Sequence, residues 1–202
     1  MARNLAISYA GSDEQASLVR DLLFNPLGYI NPQRLRLAAR LDNPQARGIV
    51  NDLLISGYGL DIHWPAGPLD SIARHYLRHW RQLPQAAYLM GCQILRSGLS
   101  WQGAMLRLPA WAQNFSCQAL DASPCPPPGR ALRHSDLLNA GYSQLRAWQG
   151  QLPAAMAQRL PLQFSPVVDS DAAAFPPSNA LLLTLALQYA RRHPFAPPAD
   201  HY

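Results

Sequence analysis

Prolines at the starts of helically spaced apolar runs constrain this chain more than any other feature. Asn31-Pro32, Asn43-Pro44, Gly67-Pro68, Leu83-Pro84, Leu108-Pro109 and Leu152-Pro153 each place a proline just ahead of such a run. Proline in the first helical turn costs nothing, because its missing N–H would have no intrahelical partner and its φ is already near the helical value. A chain punctuated at these short intervals is confined to short helices. Gln163–Val168 is the one strand candidate, and a weak one. The expected fold is all-α, a compact bundle of about eight to ten short helices with proline-rich linkers.

Along the chain, Ser12 and Gln15 form a capping box that opens a helix through Leu18, Leu22 and Leu23 to Asn25-Pro26. Short helices are expected over Pro32–Leu41 and Pro44–Ile55, then an extended connector over Ile62–Pro65. Pro68–Gln82 places Leu69, Ile72, Ala73, Tyr76, Leu77 and Trp80 on one helical face, with Arg74, Arg78 and Arg81 aligned on another. Ala86–Leu95 is apolar all round, which argues for a central buried helix, closed by Gly98. Trp101–Leu108 and Pro109–Phe115 read as two more helices. Ser135 caps a helix through Leu138, Tyr142, Leu145 and Trp148 that Gly150 stops, and Pro153 starts another to Leu160. Ser178 caps the last helix, whose Arg191, Arg192 and His193 complement its C-terminal dipole. The tail from Phe195 to Tyr202 is expected to fray.

Asp121–Arg130, reading D-A-S-P-C-P-P-P-G-R, is the clearest linker; Pro161–Pro177 is a second, in which Ala172-Ala173-Ala174 could nucleate a turn. The expected organisation is an N-terminal helical subdomain over 1–120, a linker over 121–134, and a C-terminal subdomain over 135–202 packed on the first, or all of these as one domain.

The hydrophobic fraction of 49% with 14% charged residues excludes a disordered chain. All 17 basic residues are arginine, and of 12 acidic residues only Glu14 is glutamate. Coding bias in a GC-rich genome explains this simply; selection for bidentate guanidinium contacts is the alternative. A net charge of +5 spread over scattered arginines suits an acidic protein partner better than nucleic acid. A helical nucleic-acid-binding regulator using an arginine-rich face is the competing reading. Cys92, Cys117 and Cys125 form no C-x-x-C pair, and an odd count fits a reducing cytoplasm. The stretch Met1–Gly11 has no signal-peptide pattern, and Ala180–Leu187 is too short to span a bilayer.

No residue cluster carries recognisable chemistry. His75 and His79 have metal-binding spacing, but Tyr76 stands where a zinc-protease helix needs glutamate, and Arg74 and Arg78 would repel a cation. A solvated face is the expected role of both histidines. His134-Ser135-Asp136 has triad residue types in consecutive positions, which cannot adopt triad geometry. Gly57-Tyr58-Gly59 lacks a dinucleotide loop's context, and Asp52, Asp61 and Asp70 have no recognisable partner. Neither enzyme activity nor a catalytic, metal or cofactor site is expected. Arg74, Arg78 and Arg81, interleaved with Tyr76 and Trp80, are the candidate partner-binding residues. Trp64, Trp80, Trp101, Trp111 and Trp148 are expected in the core, with one or two at the surface as anchors.

Three blocks in order resemble the YscK/SctK family of type III secretion accessory proteins. They are Phe24-Asn25-Pro26-Leu27-Gly28-Tyr29; the run Leu89–Leu95 followed by Gly98 and Arg107; and Gly141-Tyr142-x-x-Leu145-x-Ala147 followed by Leu152-Pro153, Arg159-Leu160-Pro161-Leu162 and Pro166. The resemblance implies a non-enzymatic cytoplasmic adaptor of the sorting platform in Gram-negative bacteria, serving protein transport and virulence. Such an adaptor links the forkhead-associated-like cytoplasmic domain of the inner-membrane ring protein to the pod protein. It is held at the membrane through these partners, without insertion, nucleic acid or a small-molecule substrate.

Overall fold

The computed structural model describes residues 2–118, 131–170 and 180–198, with side chains from residue 13 onward except those of 102 and 170. Among the described residues the chain forms ten α-helices and six short 3₁₀ turns, with no strand. Two units interleave in sequence: residues 1–80 with 151–163, and residues 81–150 with 164–202. Of the expected linker at 121–134, residues 121–130 lie outside the described residues, as do Ala172–Ala174 and Ser178.

In the first unit α1 (Ala2–Phe24) runs through Ser12 instead of starting there. The segment Ala2–Ala10 is rich in good helix formers, so a capping residue inside it is passed over. After α1, the 3₁₀ turn Pro26–Gly28 reverses the chain. No helix forms over 32–41 except a 3₁₀ turn at Ala39–Leu41. Asn31 opens only a single turn: its carboxamide oxygen accepts from Gln33 N at 2.9 Å and its carbonyl from Arg34 N at 2.8 Å and Leu35 N at 3.2 Å, and the chain then leaves the helical path. Next, α2 (Pro44–Gly57) begins as expected, with the Asn43 side chain accepting from Ala46 N at 2.9 Å. Then α3 (Ser71–Arg78) starts at an Asp70 cap, not at Pro68, and the extended connector Ile62–Pro65 precedes it. Ile30, Leu54, Leu60 and Leu162 form a buried cluster, with Leu27, Leu35, Val50 and Ile55 packed around it.

The second unit is built on α4 (Leu83–Ile94), in which every residue except Pro84 is buried. Gly98 does not end the following segment; it lies buried within α5 (Arg96–Ser100), which leads into the 3₁₀ segment Trp101–Arg107 and then α6 (Ala110–Ser116). In α7 (His134–Ala147) Ser135 sits inside the first turn, and the cap is made by Asp136, whose carboxylate accepts from Arg133 N at 2.7 Å. The other chain segments are α8 (Ala154–Arg159) in the first unit, and α9 (Pro166–Ser170) and α10 (Ala180–Arg192) in the second. Gln163–Val168 is not a strand: its residues end a 3₁₀ turn and open α9, where Val168 N bonds Ser165 Oγ at 3.3 Å.

Gly91 and Gly141 set the main helix contact. A Cβ on Gly91 would overlap the Leu137 carbonyl, and one on Gly141 would overlap the Ala87 carbonyl. Helices α4 and α7 therefore meet backbone to backbone, and any side chain at either position would wedge them apart. Gln93 ties α4 to the end of α6 through Phe115 O at 2.7 Å. Gln85 grips the tail by donating to His193 O at 2.6 Å and accepting from Phe195 N at 3.1 Å. The Phe195 ring stacks on Trp111 with centroids 5.9 Å apart, so Phe195, at the start of the tail expected to fray, is held in place.

Candidate functional site

Arg74 and Arg78 lie one turn apart on α3, both exposed. The helix ends there: His79 is its C-cap, and Trp80–Gln82 is a 3₁₀ turn carrying the exposed Arg81. Pro84 accounts for the break, since a helix continued through it would drive its ring into the carbonyl of Trp80. The expected single helical row therefore stops at Arg78. His75 is exposed, with Nδ1 3.1 Å from Ser71 O, but His79 is buried at 8% exposure and is not part of a solvated face. No group of three His, Cys, Asp or Glu side chains among the described residues is placed to hold a metal.

By sequence the second unit carries eight arginines against five aspartates, and two of those aspartates, Asp136 and Asp169, are among the described residues. Both carboxylates are engaged within the fold, Asp136 by Arg133 N and Asp169 by the Tyr142 hydroxyl at 2.8 Å. Trp80 is buried, Trp64, Trp111 and Trp148 are half-buried, and Trp101 is exposed at 46%. Trp101 is thus the surface tryptophan.

The residue pattern did not single out Arg159. Its side chain is fully buried at the end of α8. The guanidinium donates to Asp61 O at 2.6 Å, Ala155 O at 3.0 Å and Leu23 O at 3.0 Å. Leu23 O belongs to the last turn of α1, where helix carbonyls lack partners and the dipole is negative, a suitable place for a cation. Burial lowers the Arg159 pKa and raises that of Tyr29 beside it, while the guanidinium opposes the rise at Tyr29. The Tyr29 hydroxyl donates to Leu22 O at 2.8 Å, and its ring meets Trp80 edge-on at 5.6 Å. An arginine set in the apolar run Ala154–Leu162 was the available signal. This network holds the scaffold together and contains no reactive pair.

The class so defined is an all-α protein with structurally committed interior polar groups and a cationic surface. Residues 19–192 match the family model described as "Bacterial type III secretion apparatus protein (OrgA_MxiK)". The chain belongs to this family of type III secretion apparatus proteins, the SctK proteins that the sequence blocks resemble. It is 41% identical over 181 residues to "Oxygen-regulated invasion protein OrgA" of Salmonella typhimurium strain LT2, covering 88% of this chain and 89% of that protein. It is 27% identical over 173 residues to "Protein MxiK" of Shigella flexneri, covering 85% and 87%. No solved structure matches the chain. No helix among the described residues is long and apolar enough to cross a membrane.

The three sequence blocks have structural roles. In the first, Asn25 Nδ2 donates to Asp21 Oδ1 at 2.9 Å and Leu27 N to Asn51 Oδ1 at 2.9 Å, which seats the turn after α1 against α2. The second and third contribute Gly91 and Gly141 to the α4–α7 contact, and the third also contributes Arg159.

Proposed function

We propose that this protein is a non-enzymatic cytoplasmic adaptor of the type III secretion sorting platform. It links the forkhead-associated-like cytoplasmic domain of the inner-membrane ring protein to the pod protein, and it reaches the membrane only through those partners. The observation that carries this reading is the family match over residues 19–192. The relatives named for invasion support a role in virulence. A surface rich in arginine supports acidic protein partners, whose charges would speed and orient docking. Arg74, Arg78 and Arg81 contact one of the two partners, with their guanidinium groups at its carboxylates. The nucleic-acid reading draws no support from a family named for a secretion apparatus.

The test is charge reversal at all three positions, Arg74→Glu, Arg78→Glu and Arg81→Glu, in the full chain. Binding to the purified ring-protein domain and to the purified pod protein is measured separately. Loss of one interaction with the other retained supports the assignment. Retention of both removes these arginines from the interface.

A further inference from the structure

We propose that the 3₁₀ segment Trp101–Arg107 is a docking knob for an acidic protein segment that carries apolar side chains. Leu106 is exposed at 79% and Trp101 at 46%, which makes them the two exposed large apolar side chains of this seven-residue stretch. An isolated exposed leucine needs no explanation, but this one is presented by a built turn. Gly103 adopts φ +67°, a conformation that favours glycine. Gln113 on α6 donates to Leu106 O at 3.4 Å and to Leu108 O at 2.7 Å, and Leu108 N closes the turn on Met105 O at 3.2 Å. Buried Leu108 roots the segment in the core. The backbone is therefore fixed while Trp101 and Leu106 face water. A partner that covers them need not order the backbone that carries them.

The charges indicate the occupant. From Ser71 to Gln118 the sequence contains no aspartate or glutamate, and exposed Arg96 and Arg107 flank the knob. An apolar anchor in a stretch of chain that carries arginines and no carboxylate complements a segment with the opposite charge pattern. A second copy of this chain would bring like charge, since the chain carries a net charge of +5. A lipid surface is also anionic, but stable interfacial binding needs a long amphipathic helix or several anchors, and this segment has seven residues. This inference goes beyond the adaptor reading, because it fixes the chemistry of the partner segment without choosing the partner.

The experiment places a photo-crosslinking phenylalanine derivative at Trp101, Leu106 or Arg107 of the full chain in the native bacterium, and maps the crosslinked peptide. A discrete adduct to an acidic segment of an apparatus protein is expected. Adding Trp101→Ala and Leu106→Ser to the chain labelled at Arg107 should lower its yield by about tenfold or more, with the melting temperature unchanged. An acidic segment of the ring or pod protein supports both this surface and the adaptor reading. An acidic segment of another apparatus protein supports this surface and counts against the adaptor reading. Adducts only to a second copy, lipid or nucleic acid, no adduct from any of the three positions, or an unchanged yield in the double variant overturns the proposal.

Discussion

Arg159 shows how a single buried charge organises its unit. Its guanidinium fork meets three backbone carbonyls from α1, the loop at Asp61 and α8 itself. A lysine has a compact ammonium and cannot span the same carbonyls. Arg159→Ala should cost about 3–5 kcal/mol, by stranding those carbonyls and opening a cavity. Arg159→Lys should recover only part of that loss, as read from urea midpoints. Cys92 behaves in the opposite way to a reactive thiol. Burial pushes its pKa up to about 12, and burial also raises that of Tyr76. Because the unfolded thiol ionises first, the unfolded state is favoured as pH rises from the ordinary thiol value of 9.0 toward 12. Stability should therefore be flat through neutral pH and fall above about pH 9, with a slope that Cys92→Ala reduces. Peptide mapping after native maleimide labelling should find Cys117 modified and Cys92 untouched until the chain is unfolded.

At the scale of elements, the α4–α7 contact is the feature most sensitive to change. Gly91→Ala and Gly141→Ala each put a methyl group into a facing backbone carbonyl. Each should destabilise the protein by about 1–3 kcal/mol or more, because rigid backbone must shift to make room. Gly48, at an exposed position of α2 with no atom near its Cβ position, gives the contrast. Gly48→Ala should stabilise the protein by about 0.5–1 kcal/mol, measured by thermal melting. The helices that could be read in the sequence were those with local instructions, such as α2 from Asn43-Pro44 and α4 from its uniform apolarity. The misreadings had both local and distant causes. Asn31 caps a single turn, its carbonyl accepting from Arg34 N and Leu35 N, and the expected helix goes no further. Pro84 ends α3 before Arg81, and Gln85 holds a tail that composition alone marks as loose. The glycine contact and the burial of Arg159 depend on partners far away in sequence, so spacing could not reveal them.

At the scale of the whole molecule, the defining property is a cationic surface on a helical scaffold, in a chain with net charge +5 and membership of a type III secretion apparatus family. Binding steered by these arginines should weaken as salt rises, mostly through slower association. Raising salt from 50 to 500 mM should therefore lower the association rate more than it raises the dissociation rate, as read by biolayer interferometry; the reverse pattern would point to an apolar interface. The adaptor reading is tested most directly by mixing the purified full-length chain with the purified ring-protein cytoplasmic domain and the purified pod protein, singly and together, near physiological salt, with complexes sized by light scattering. The account predicts binary complexes with each partner and a ternary complex that forms only when this chain is present. Failure to bind either partner, or two partners that compete for the chain instead of occupying it together, would contradict it.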